Sequence, residues 1–158
     1  MHRLELALLN CLLACCLTSC AANSTAEPTA GAADPAADAA SWQGTWNLVS
    51  CQFNGEPEEV GDAQWIVNGD HYNIRLNGTT GADPYTFTLD ANTKRMDVFH
   101  HETPKGTFGG SYKGIYQITG DTLKVCYDAT GKQYPNSFDA SFGSRQVVYQ
   151  FQRERRKY

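Results

Sequence analysis

The chain has 158 residues, a formal net charge of −4, and 41% hydrophobic and 11% aromatic residues. That length allows one domain with a tail. The apolar content excludes a fully disordered chain, and the mild acidity excludes the basic footprint of a nucleic-acid binder. All three Trp, eight Tyr and seven Phe lie at or after Trp42, so residues 1–41 have no aromatic core material and residues 42–158 carry the expected domain.

The first element is a leader. After Met1-His2-Arg3, the stretch from Leu4 to Leu17 is mostly Leu, Ala and Cys, interrupted by Glu5 and Asn10. A spanning helix needs about 20 apolar residues, so this stretch is too short to cross a bilayer and has the length of a signal-peptide core. Leu17-Thr18-Ser19-Cys20 resembles the bacterial lipobox. Small residues let the peptidase reach the backbone, and the thiol accepts a diacylglycerol through a thioether. Residues 1–19 are therefore expected to be a lipoprotein signal peptide, with Cys20 lipidated and acyl chains such as palmitate holding it in a membrane. The expected address is the bacterial cell envelope, facing the periplasm or exterior. Cleavage after Ala22 by a general signal peptidase is the alternative and would give a soluble secreted protein.

Residues 20–41 follow as lipidated Cys and tether. Ala21 to Ser41 is rich in Ala and carries Pro28, Pro35 and Gly31, with no Lys, Arg or aromatic residue. Ala favours helix, but the prolines, the glycine and the missing apolar stripe favour a flexible spacer.

From Trp42 the pattern changes to period two, punctuated by Gly, Asn and Asp. It predicts eight strands: Thr45–Asn54, Gln64–Asn68, His71–Asn77, Tyr85–Asp90, Arg95–His100, Ser111–Thr119, Thr122–Asp128 and Gln146–Arg153. Turn signals such as Asn54-Gly55, Asn77-Gly78 and Gly120-Asp121 separate them. Short sequential connections favour up-and-down pairing, and closing the sheet removes both edges. The expected fold is all-β: an eight-stranded antiparallel up-and-down barrel, wide enough to be filled by side chains or to hold one small ligand.

The residues of this region resemble a family. Trp42-Gln43-Gly44-Thr45-Trp46-Asn47-Leu48-Val49-Ser50 with Asn54-Gly55-Glu56-Pro57, the run Gly114 to Tyr127, and Tyr134-Pro135 with Phe138 resemble a small lipocalin-like (calycin-type) domain family. It is abundant in planctomycete-type bacteria and has no established function. Gly44-Thr45-Trp46 is also similar to the Gly-x-Trp of lipocalins proper. That resemblance implies that Trp46 plugs the barrel base and that Arg153 covers it. Trp42, beside the tether, is expected to matter much less to stability. A second lipocalin motif of the Thr-Asp-Tyr kind is absent, so a ligand cavity is not implied.

Few residues propose chemistry. His100-His101-Glu102 is the densest set of metal-ligand types, but neighbouring residues on a strand point to opposite faces and do not converge on one ion. Neither a nucleophile elbow nor a phosphate loop occurs, so no catalytic residue, metal or cofactor is expected. In an oxidising envelope Cys51 and Cys126 invite a disulfide. Parity opposes it: Cys126 alternates with Leu123, Val125 and Tyr127 and so points out of the core, whereas Cys51 shares a face with Val49 and Phe53. Strands two apart are also too distant for a bridge. The aromatic residues Trp46, Tyr72, Tyr85, Phe87, Tyr116, Tyr127, Tyr149 and Phe151, with Tyr112, are expected to line a ligand site or to fill the core. Two functions follow. One is a membrane-anchored, lipocalin-like binding module for a small apolar molecule. The other is a filled barrel acting on a protein partner, such as an envelope enzyme inhibitor.

Overall fold

The protein is described by a computed structural model covering residues 33–81, 84–100 and 110–155. Its elements are α1 (Pro35–Trp42), β1 (Gly44–Phe53), β2 (Glu56–Pro57), β3 (Ala63–Asn68), β4 (His71–Leu76), β5 (Thr79–Thr80), β6 (Tyr85–Asp90), β7 (Arg95–His100), β8 (Gly110–Thr119), β9 (Thr122–Asp128) and β10 (Gln146–Arg153). The eight longer strands match the alternating runs of the sequence, and β2 and β5 are short additions. At Asn54-Gly55 and Asn77-Gly78 both residues have positive φ, the backbone that tight hairpin turns need and that Asn and Gly tolerate.

The strands pair antiparallel in the order β10-β9-β8-β7-β6-β4-β3-β1, and β10 returns to pair with β1. Closure runs from Trp46↔Arg153 to Phe53↔Val147, with a register shift between Leu48 and Ser50. Val49 is the extra residue of this bulge and is 59% exposed. An extra residue reverses side-chain parity. Trp46 and Leu48 therefore face inward before it, and Cys51 is buried after it. The expectation that Val49 shares a face with Cys51 fails for this reason. The thinnest seam is β4–β6, with only the pairs His71↔Thr86 and Tyr72↔Tyr85 in register and one further bond from Phe87 N–H to the Asp70 carbonyl, 2.9 Å.

One end of the barrel is closed by α1, in a segment read from the sequence as the end of a flexible spacer. Its start is well marked: the Asp34 carboxylate accepts from Ala36 N–H at 2.9 Å, and Pro35 occupies the first turn. The helix lacks an apolar stripe because only Trp42 is buried in it. It is held instead by polar contacts. The Tyr116 hydroxyl donates to Asp38, and Lys94 Nζ lies 2.7 Å from the same carboxylate. The helix draws Trp42 into the barrel base with no exposed surface, its ring 5.3 Å from Phe87 and 5.2 Å from Tyr116. Trp42 is thus a core residue, contrary to its expected place at the domain edge.

Trp46 is fully buried beside it and donates its indole N–H to the Trp42 carbonyl at 2.8 Å. The Arg153 guanidinium lies 4.0 Å from the Trp46 ring centroid and donates to the carbonyls of Gln43 and Ser41, each at 2.6 Å. One cation therefore covers the indole and satisfies the chain leaving α1. The part anticipated for Arg153 is the one it plays.

The outer face of β8–β10 carries a second layer. Cys126, Ala140 and Val148 are buried there, with Ile115 and Phe138 packed against them. Cys126 does point out of the barrel, but the loop after β9 covers it. The loop is fastened by Tyr134, whose hydroxyl donates to the Asp97 carboxylate at 2.8 Å. The Tyr134 ring meets Arg95 at 4.7 Å and Lys113 at 4.5 Å. Cys51 and Cys126 lie on opposite faces of the wall, and both thiols are free.

Candidate functional site

Inward positions along each strand fall into two halves. On β8, Tyr116 meets α1, and Tyr112, one alternation beyond Gly114, lies toward the other end. On β10, Arg153 caps the closed end, Phe151 is core, and Tyr149 and Val147 come next. Trp46, Phe87, Tyr116 and Phe151, four of the eight aromatic candidates, belong to the packed half.

The opposite end is hollow. A cavity of about 270 Å³ is lined by Tyr72, Tyr85, Tyr112, Tyr127, Tyr149 and Trp65, together with Ile74, Val98, Ala129 and Val147. None of these residues carries a formal charge. The remaining four candidates, Tyr72, Tyr85, Tyr127 and Tyr149, are therefore brought together as lining. Among the described residues the choice between a filled barrel and a cavity resolves by halves: filled at the base, hollow toward the other end. Trp65 joins the two, since it is the cross-strand partner of Trp46, lies 4.4 Å from Phe151 and reaches the cavity.

Two arrangements define the lining. The first is a column of rings across four strands. Trp65 stacks on Tyr72 at 4.5 Å, Tyr72 on Tyr85 at 5.0 Å, and Tyr85 on His100 at 4.4 Å, with interplanar angles of 20°, 5° and 19°. Strand spacing of about 4.8 Å sets this stacking, because Tyr72, Tyr85 and His100 are direct cross-strand neighbours. The second is Tyr127 with its cross-strand partner Gly114. A Cβ at Gly114 would sit 2.7 Å and 2.8 Å from two carbons of the Tyr127 ring, so the missing side chain makes room for the phenol.

The Tyr127 hydroxyl is buried, and the Tyr72 hydroxyl is the polar group that faces it. Burial pushes the acidity of Tyr127 well above the ordinary tyrosine value, and the neighbouring Tyr72 adds to this. Burial also raises Tyr72, and pushes Tyr149 up to about 12. Tyr72, Tyr127 and Tyr149 are therefore held as neutral phenols at any physiological pH. Burial likewise pushes the Cys126 thiol up to about 11 and raises Cys51, with Glu58 contributing. Neither has the character of a reactive thiolate.

Trp65 and Gly114 were not singled out from the sequence. Trp65 sits on an alternating strand, and a glycine inside a strand is a cue for close approach of another group. His100 stacks in the column and His71 lies at the start of β4, while His101 and Glu102 lie outside the described residues, as does Cys20. Among the described residues no group of three or more His, Cys, Asp or Glu is placed to hold a metal.

No protein-family model matches the chain, and no curated protein or solved structure shows significant similarity to it.

Proposed function

We propose that the protein is a binding module that holds a small, largely apolar molecule in the mouth of its barrel, tethered to a bacterial membrane through lipidated Cys20. The observation that carries this reading is the cavity of about 270 Å³, walled among the described residues by aromatic and aliphatic side chains and by no charged one. Ligand sites are concave and mostly apolar with few polar groups, and the tyrosine hydroxyls supply those groups here. The packed base favours the same reading, since a rigid half gives the open half a fixed frame. Kinship with the lipocalin-like domains rests on the sequence runs around Trp46 and from Gly114 to Tyr127.

Native mass spectrometry of the full chain purified from its membrane tests the binding role. The expected result is a population carrying a small non-covalent adduct that is lost on mild activation. Bare protein, together with no binding by a panel of apolar probes, overturns it. Cell fractionation of Cys20→Ser tests the anchor, with release from the membrane expected. Phe142, 87% exposed on the loop that meets Gly55, favours a protein partner as a second reading.

A further inference from the structure

We propose that Phe142 anchors a protein-docking surface, and that its partner offers an apolar socket bordered by Lys and Arg. This rests on the second reading above and names the chemistry of that partner.

The anchor is an aromatic ring that the chain holds outside its own core. Phe142 is 87% exposed, the most of any large hydrophobic residue among those described. It stands on a fixed turn. Ser144 N–H donates to the Ser141 carbonyl at 3.0 Å, and Gly143 supplies a positive φ of 80°. Two bonds tie this turn to the hairpin that ends β1. Gly143 N–H donates to Asn54 Oδ1 at 2.6 Å, and Gly55 N–H donates to the Ala140 carbonyl. Ser141 N–H donates to Asp139 Oδ1 at 2.9 Å. Gly55 lets the two loops meet, since a Cβ there would lie 3.3 Å from the Phe142 nitrogen. A backbone held in this way has little freedom left to lose on binding, and preorganised aromatic anchors of this kind dominate interfaces.

Charge names the partner. Residues 33–74 contain no Lys or Arg. Glu56, Glu58 and Glu59 follow Gly55, Asp139 precedes the turn, and all four are exposed. None of these carboxylates forms an ion pair among the described residues, not even with Arg145, three residues after Phe142. The loop that carries the three glutamates is itself fixed. Glu58 N–H donates to the Cys51 carbonyl and Asn77 N–H to the Asp62 carbonyl, each at 2.9 Å. An apolar knob with an acidic border fits an apolar socket with a basic one. The same border opposes an anionic bilayer surface, which attracts Lys and Arg, so the occupant is a protein rather than a membrane.

The test is photocrosslinking of the full chain in its own cells, with p-benzoylphenylalanine at position 142 and, as a control, at position 92 in the β6–β7 turn. Mass spectrometry then identifies the adduct. The expected result is a protein adduct from position 142 alone, formed at an apolar peptide with Lys or Arg beside it. Reversing the border with Glu56→Lys, Glu58→Lys and Glu59→Lys together is expected to lower the adduct yield about tenfold. Phe142→Ala is expected to weaken binding of the purified captured protein about tenfold. Both variants should keep the urea midpoint of the wild-type chain, since the altered side chains are exposed. If the adduct forms undiminished after charge reversal, the basic border is overturned while the protein-partner reading stands. Adducts with lipid alone, or with a second copy of this chain, overturn the proposal and put that occupant in its place. If no adduct forms, or if position 92 captures the same protein equally, Phe142 is not an anchor and the second reading falls with the proposal.

Discussion

The two ends of the barrel are built from the same residue types with opposite outcomes. At the closed end the polar atoms of aromatic residues are matched: the Trp46 indole donates to the Trp42 carbonyl, Tyr116 donates to Asp38, and Arg153 serves Gln43 and Ser41. The Trp42 indole N–H is the exception. At the mouth, five tyrosines surround a void, and the buried Tyr127 hydroxyl faces that of Tyr72. The difference shows that aromatic content alone does not decide between core and pocket. What differs is filling: α1 brings Trp42 against Phe87 and Tyr116 to plug the base, whereas the rings of the mouth leave about 270 Å³ between them.

The sharpest way to break this comparison is at the base. Trp46→Ala and Trp42→Ala are each expected to cost about 3–5 kcal/mol, a large share of the roughly 5–15 kcal/mol typical of a domain. Urea melts measure both. A small loss at Trp42 beside a large one at Trp46 would mean that α1 is not part of the closed end. Next in size is Arg153→Met, which keeps an apolar stem over Trp46 but removes the donors to two carbonyls. A loss of about 2–3 kcal/mol is expected, and an unchanged urea midpoint would show that Asp38 and Trp42 hold α1 without Arg153.

At the mouth the effect should be smaller. Tyr127→Phe removes a buried hydroxyl that faces Tyr72 without changing the ring, so stability should change by no more than about 1 kcal/mol. A loss as large as that of Arg153→Met would mean that the mouth is as internally matched as the base.

The effect that vanishes at neutral pH is ionic. Unfolded tyrosines ionise near pH 10, whereas Tyr149 in the fold is pushed up to about 12 and Tyr127 well above its ordinary value. Between those values the unfolded chain binds fewer protons than the native one, so stability falls as pH rises. It should be flat below about pH 10 and decline from there toward 12 and beyond. Tyr149→Phe should flatten that decline in melts followed between pH 9 and pH 12. A wild-type curve that stays flat over this range would show that the mouth is open enough to hydrate its phenolates.

Much of this contrast can be read in the residues. The strands Tyr85–Asp90, Arg95–His100, Thr122–Asp128 and Gln146–Arg153 have the bounds that alternation predicts, because their faces differ sharply in polarity. The Trp46–Arg153 pairing followed from the resemblance. Helix α1 was hidden because its hold on the barrel runs through Asp38 and Trp42 rather than through an apolar stripe, so nothing periodic marks it. The bulge at Val49 was hidden because one inserted residue leaves the local pattern intact and changes only its phase. The cavity depends on how far Trp42 and Trp65 fill the interior from below, which no strand pattern encodes. Gly114 left a trace as a glycine within a strand, but its meaning requires knowing that Tyr127 lies opposite.

The ring column also bears on how freely this protein can change over generations. The seam between β4 and β6 has two register pairs, and one of them, Tyr72 with Tyr85, is also a stacked aromatic contact. The same two side chains thus stitch the wall and shape the pocket, so a substitution that suits a new ligand at either position would loosen the barrel as well. Tyr112, Tyr127 and Tyr149 stand on the well-paired strands β8, β9 and β10 and carry no such double duty. Lineages that diverge in specificity are expected to vary on that wall and to keep the column fixed.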